Sequence, residues 1–479
     1  MKQIFGLFFL TLFIFSSCKK DEQIADTSAK PIFSTDSVLF DTVFTTVGST
    51  TKTFKIYNRN NQQINISRLF LATGSSSPFR INVDGVSGTS LNDIEIGGGD
   101  SLFVFVQVTV NPTGLNSPLL IRDSIVFETN NNRQHVMLTA IGQDVYLHKP
   151  DHFSTNGFPP YSIITCNDVW TNDKPHLIFG YAVVDEGCTL TIQQGVRVHL
   201  NNKAVLWVYK GGTLIVNGIH GNEVTFQGAR LEADYKNVPG QWGKIWLSSE
   251  SKNNVIDWAI IKNGSIGVQA DTLGDPVNPT LLISNTIVKN MSAAAIYGQG
   301  THIRGYNCVF ANCGQYIAAL TIGGKYKFEH CTFANYWTEG SRSTPLLAMS
   351  NYYVDVNSTI QIRDLDSAYF GNCILYGDME EEIGLDSSTF GGIFNYKFDH
   401  CFIKTAMNTT DGAHYNTVSP YQNVDPQFVD VSSNNYQLKA TSPAIDQAGP
   451  SSIVYDLNNQ FRPNASTTSI PDIGAYEYY

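Results

Sequence analysis

What the 479-residue sequence lacks narrows its class before any motif is read. It has no apolar stretch of the roughly 20 residues that a membrane-spanning helix needs; the run from Ile4 to Phe15 stops at twelve. Its 8 cysteines include no Cys-x-x-Cys pair and meet no convergent His cluster, so no metal site is expected and no cofactor is implied. They are also too few for a disulfide scaffold of this length. Charged residues make up only 15% of the chain, and basic runs are missing. The net charge is −11, or −12 once Lys2 is lost with the first 17 residues. An acidic chain without basic runs argues against nucleic acid as a partner and against broad binding to anionic lipid.

What is present points to strands and turns. Aromatics are 12%, with 39 Gly and 18 Pro, a composition that favours an all-β protein. A short phrase recurs between about 190 and 403. It begins at Asn285, Asn307, His330, Asn372 and His400, with a looser copy at Asp257. The steps are 28, 22, 23, 42 and 28 residues. Self-similarity at this period signals a solenoid of β coils, and the longer steps read as loops inserted into single coils. Asn at the ends of the phrase suits tight turns, because it tolerates left-handed backbone. Cys308, Cys331, Cys373 and Cys401 share one slot of the phrase and are expected as a buried, stacked column.

Taken in order, Met1 to Ser17 has the pattern of a cleaved signal peptide, ending in Ser16-Ser17-Cys18. This resembles a bacterial lipobox, with Phe15 in place of the usual Leu, and the resemblance implies lipidation of Cys18. Lys19-Lys20-Asp21-Glu22 resembles the signal that sends lipoproteins of Bacteroidetes-type bacteria to the cell exterior. Residues 18–31 read as a tether. From 32 to 146, alternating segments such as Ser101 to Val110 suggest an Ig-like β-sandwich. With Asn58, Asp100, Pro112 and Leu138 to Gly142, this domain resembles bacterial repeats related to the ASH family.

Residues 147–175 read as a linker, and 176–430 as the solenoid. The succession Val183 to Val198, Gly211 to Gly218 and Pro239 to Trp246 resembles the opening coils of right-handed parallel β-helix proteins, relatives of pectate lyases. Residues 431–479, with Ser442-Pro443-Ala444-Ile445-Asp446, Arg462 and Asp472 to Glu477, resemble a choice-of-anchor Q segment, expected to cover the last coil. Cys166 and Cys188 could pair, which sequence alone leaves open.

For catalysis, pectate lyases need clustered carboxylates for calcium, and polygalacturonases use Asn-Thr-Asp, Asp-Asp and His-Gly. Only His220-Gly221 occurs, and Asp271 and Asp275 read as turn formers. The two interruptions of the rhythm, 336–367 and 378–382, read as solvated loops with Arg342 in the first and clustered acid in the second. Strand alternation in Gln241 to Leu247 puts Ile245 and Leu247 inward and Trp242, Lys244 and Trp246 outward. Trp207 and Tyr209 form a second outward pair, and Trp337 lies in an inserted loop. These six are the candidate carbohydrate-binding residues. The expectation is a lipid-anchored protein of the outer membrane, facing outward, that binds polysaccharide or host glycan without catalysis. The alternatives are a polysaccharide lyase or glycoside hydrolase acting on acidic polysaccharide, and a structural envelope protein.

Overall fold

Parallel hydrogen bonding between segments one repeat apart organises most of the chain. A computed structural model describes residues 22–112, 114, 118–155, 157–272, 277–464 and 470–479. The signal segment, Cys18, Lys19 to Asp21 and Asp275 lie outside the described residues. The chain divides into two compact units between Asp144 and Val145.

The first unit is a β-sandwich. One five-stranded sheet is centred on Ser101–Val108 and the other on Leu119–Thr129 and Asn132–Gln143. Alternation along Ser101–Val108 buries Val104, Val106 and Val108 and leaves Phe103 and Phe105 outside. The end of the expected tether is docked here. Ile24 donates to Gln63, Asn130 reaches the carbonyls of Ile24 and Ala29, and Ala29 is buried. A polar composition concealed the apolar residues that seat this segment, Ala29 in the sandwich core and Ile24 packed against it.

The second unit is the solenoid. Each coil visits three parallel ladders in turn. The first runs through Tyr181–Val184, Val205–Val208, Lys244–Leu247 and Ile266–Asp271. The second includes Leu281–Ser284, the later halves of Ala294–Tyr306 and Tyr316–Glu329, then Leu365–Gly371 and Phe394–Asp399. The third is a ten-stranded sheet from Tyr146–His148 to Phe402–Ile403. The stretch expected as a linker is therefore already coil, because Tyr161–Ile163 and Val169–Trp170 pair with the next turn of the chain. Cys166 and Cys188 are joined by a disulfide across these coils.

Between the second and third ladders the chain turns on one left-handed residue. Asn285, Asn307, His330, Asn372 and His400 occupy this slot with φ between 47° and 53°. The neighbouring thiols point into the core, and Cys308, Cys331 and Cys373 each donate to the carbonyl two residues earlier. Burial pushes the Cys308 and Cys373 thiols well above their usual range. His330 and His400 are turn residues of the repeat.

The C-terminal segment does not sit over the last coil's edge as expected. It lies along the outward side of the third ladder. Val309, Ala311, Ala334, Ile374 and Phe402 face outward there, and Phe428, Tyr436, Leu438, Ile473 and Ala475 cover them. Apolar residues on the outside of a ladder need cover as much as an edge does. Asn307 donates to the carbonyl of Tyr455, and Ala475 donates to the hydroxyl of Thr332. Within the segment, the buried Arg462 guanidinium donates to Glu477 and to the carbonyls of Asp472 and Gly474. Burial raises the Glu477 carboxyl to about 6.

The two interruptions of the rhythm are tied to one another. Arg342 makes a two-pronged bond to Glu382, 2.7 Å on each side, and also reaches Asp378. Glu382 is buried, so this acid and this arginine hold inserted segments to the coil and are not a solvated cluster.

Candidate functional site

The expected aromatic face on the first ladder forms only in part. Ile245, Leu247, Leu206 and Val208 point inward and are buried, as alternation requires. Trp246 and Lys244 face outward, and Trp246 stacks on Trp207 at 5.0 Å. Trp242 does not join them. Its strand begins at Lys244, so alternation does not extend back through Gly243. The indole is wholly buried, donates to the carbonyl of Lys262, and lies against Gly264, where a Cβ would come within 2.7 Å of the ring. The missing side chain of Gly264 makes the space for it.

The ring faces of the outward pair are mostly occupied. Trp207 is 6% exposed, packed by Trp246, Phe158, Tyr181 and Tyr209. Trp246 carries the Lys244 ammonium 4.6 Å from its centroid and donates to Asp271 at 2.6 Å. Asp271 ends a strand and is not a turn former. Tyr209 stays exposed, and Trp337 is half-buried beside Gly314. The structure thus gathers Lys244, Trp246, Trp207 and Tyr209 into one cluster and leaves Trp242 and Trp337 outside it.

A second arrangement was not foreseen. On the second ladder, Ile303, Tyr326 and Phe328 face the core, so their neighbours face out. Register aligns Leu282, Arg304, Lys327, Tyr369 and Lys397 in one outward column. The adjoining column holds Ser284, Tyr306, Glu329, Gly371 and Asp399. The signal lay in the repeat phrase: each member of the first column stands three residues before the turn residue Asn285, Asn307, His330, Asn372 or His400.

These columns floor a groove with two adjoining hollows of about 510 and 330 Å³, both lined by Arg304, Lys327 and Glu329. That is the size range of ligand sites. Ser452 to Tyr455 of the C-terminal segment form one wall, with the Tyr455 ring half exposed at the lip. Arg304, Lys325 and Lys327 are exposed. Lys327 pairs with Glu329 at 2.6 Å, whereas Arg304 and Lys325 have no acidic partner among the described residues.

The carboxylates of the second column are differently employed. Asp399 accepts from Asn416 of the next coil at 2.7 Å, from His400 at 2.8 Å and from the Tyr369 hydroxyl at 3.2 Å. Asp257 in the same slot likewise accepts from Asn285. Glu329 is the groove's own carboxylate, and Gly371 separates it from Asp399 by two coils. Burial, then Asp399, pushes the Tyr369 phenol above its usual range and keeps it a neutral donor. The arrangement offers cations, hydroxyls and rings to a bound chain. Among the described residues, no group of three or more His, Cys, Asp or Glu is placed to hold a metal ion.

A family model described as "Right handed beta helix region" matches residues 177–333. The solenoid is a right-handed β-helix. Among solved structures, the catalytic unit of a GH87 alpha-1,3-glucanase from Streptomyces thermodiastaticus is 10% identical, over 73% of this chain and 78% of that one, with a TM-score of 0.23. A family 123 glycoside hydrolase from Clostridium perfringens is 7% identical, over 24% of this chain and 26% of that one, at 0.17. The chain thus spans about a quarter of that hydrolase's length. The ASH / PapD-like domain of human CEP192 is 10% identical, over 30% of this chain and 97% of that domain, also at 0.17. At these scores the likenesses carry no functional argument. A search of curated proteins finds no match.

The placement of Trp242 in the β-helix core has a measurable consequence. Trp242→Ala is expected to cost about 3–5 kcal/mol, the usual range for removing a buried Trp. The check is the denaturant midpoint of unfolding. An unchanged midpoint, with Trp242 open to an aqueous fluorescence quencher, would return this ring to the surface.

Proposed function

We propose that the β-helix binds an anionic polysaccharide along the groove of the second ladder, as part of a lipid-anchored protein on the bacterial cell exterior. The observation that carries the binding reading is the stripe of Arg304, Lys325 and Lys327, with Lys397 in line, on a chain of net charge −11. Cations gathered on one face of an acidic protein attract an anionic ligand there, while the acidic remainder repels it and so confines it to that face. Tyr306 and the Tyr455 lip supply flat apolar surface beside polar donors, which suits a sugar ring. The stacked strands hold these groups in a line, the shape of an extended chain.

The cluster of Trp207, Tyr209, Lys244 and Trp246 on the first ladder is a secondary contact in this reading. Its ring faces are largely taken, so edges and the Tyr209 ring remain. The groove does not pair two free carboxylates, because Asp399 is engaged by Asn416 and His400, so binding without hydrolysis is the reading favoured. The lipid anchor rests on Cys18 and its preceding residues, and the Cys166–Cys188 disulfide suits an oxidising compartment.

Two measurements test this. Oligogalacturonate is expected to bind in calorimetry, more weakly as salt rises, with affinity at least about tenfold lower in an Arg304→Ala, Lys327→Ala double variant, a change of about 1.4 kcal/mol. Equal binding of a neutral glucan, or unchanged affinity in a folded double variant, would overturn the groove. In cells, Cys18→Ser is expected to move the protein from the membrane to the soluble fraction. Unchanged fractionation would remove the anchor.

A further inference from the structure

A separate cluster of lysines lies on the outward side of the third ladder, away from the Arg304 groove in the coil. Register aligns His199 with Gln227, and Lys262 with Lys289, on successive strands of one column. Neighbouring strands lie about 4.8 Å apart, so the two ammonium-bearing side chains rise from adjacent rungs. Like charges directly opposite in a sheet are destabilising. A third lysine is brought to them. The excursion between Val224–Gly228 and Lys244–Leu247 carries Lys236, and it is pinned to the coil. Asn263 donates to the carbonyl of Lys236 at 2.8 Å, and Asn290 reaches both Asn263 and the carbonyl of Asn237.

None of the three lysines has an acidic partner within ion-pair distance among the described residues. Of the two acids on this excursion, Glu232 is taken by Arg230 at 2.9 Å, whose guanidinium also lies over the Tyr235 ring, and Asp234 is outside ion-pair distance of the lysines. Desolvation lowers the Lys262 and Lys289 ammonium groups from their usual range, and repulsion among the three lysines lowers them further. A hollow of about 220 Å³ opens between Gln227, Arg230, Lys236, Lys262 and Asn263. The fold thus uses a docked loop and three asparagine bonds to assemble charges that repel one another. An anion in the hollow would remove that cost.

We infer that Lys236 and Lys262, which line this hollow, with Lys289 on the adjacent rung, form a site for a tetrahedral oxyanion, a sulfate or phosphate group, free or carried on a sugar. Amines approaching from two rungs and a loop suit an anion with oxygens in several directions better than a flat one. The site is independent of the Arg304 groove and stands or falls without it.

The full chain is tested by thermal unfolding in sodium sulfate, sodium phosphate and galactose 6-sulfate, against sodium chloride of equal ionic strength and galactose. Sulfate or phosphate is expected to raise the Tm beyond chloride, and a Lys262→Gln, Lys289→Gln variant is expected to lose that increment. Gln already occupies this column at position 227, so the exchange fits the strand. Without added oxyanion, Lys289→Gln alone is expected to raise the Tm by relieving repulsion. A greater effect of galactose 6-sulfate than of inorganic sulfate at equal concentration would assign the group to a sugar; equal effects would assign it to the free anion. On the wild-type chain, sulfate is expected to slow acylation of Lys262 and Lys289 by an amine-reactive ester, read by peptide mass spectrometry. A Tm response equal to that of chloride, or acylation of both lysines unaffected by either oxyanion, would overturn the site.

Discussion

The parallel backbone ladder is the constraint on which the rest of the second unit depends. A coil cannot bury its own apolar side, so each strand must pair with the same slot of the next coil. Once Ile303 pairs with Tyr326, every neighbour is placed: Arg304 beside Lys327, Tyr306 beside Glu329. A one-residue slip would reverse the two faces and put Arg304 and Lys327 into the core. Core packing and the surface columns are consequences of one register. The left-handed turn residues enforce it by ending each second-ladder strand at the same point.

Repetition along the axis also explains where charge is tolerated. Asp257 and Asp399 are held by an asparagine of the next coil, so an acid in that slot is a structural bond. Glu329, in the same slot, turns to Lys327 instead. Arg342 with Glu382 ties the inserted segments together, and Arg462 with Glu477 braces the C-terminal segment internally, both through buried pairs. Removing one member of such a pair leaves an uncompensated buried charge, which is far more damaging than losing both. Against this background the cations without an acidic partner among the described residues, Arg304 and Lys325 in the groove and Lys236, Lys262 and Lys289 on the third ladder, are departures, and departures from repeat chemistry are where a ligand is expected.

Much of the architecture was legible because it is local. The repeat phrase gave the coils, the shared Cys slot and the turn residues, and alternation correctly turned Ile245 and Leu247 inward. Alternation failed at Trp242, which stands at a corner before its strand begins and fills space left by Gly264. The side cover of the third ladder was hidden for a different reason. Val309, Ala334 and Ile374 are apolar residues on the outward side of their strands, and only the ladder shows which side faces away from the core. The groove needed the same information: Arg304 and Lys327 meet only because their coils stack. Their common offset from Asn307 and His330 was visible but had no meaning until the turn fixed the end of each strand.

Hydrogen–deuterium exchange of the full chain with and without oligogalacturonate tests the central claim most directly, that this register builds a binding groove. Added protection is predicted in peptides covering 301–306, 323–329 and 452–455, the floor and wall of one continuous surface. Protection confined to 205–209 and 244–247 on the first ladder, or absent from the β-helix altogether, would contradict the account.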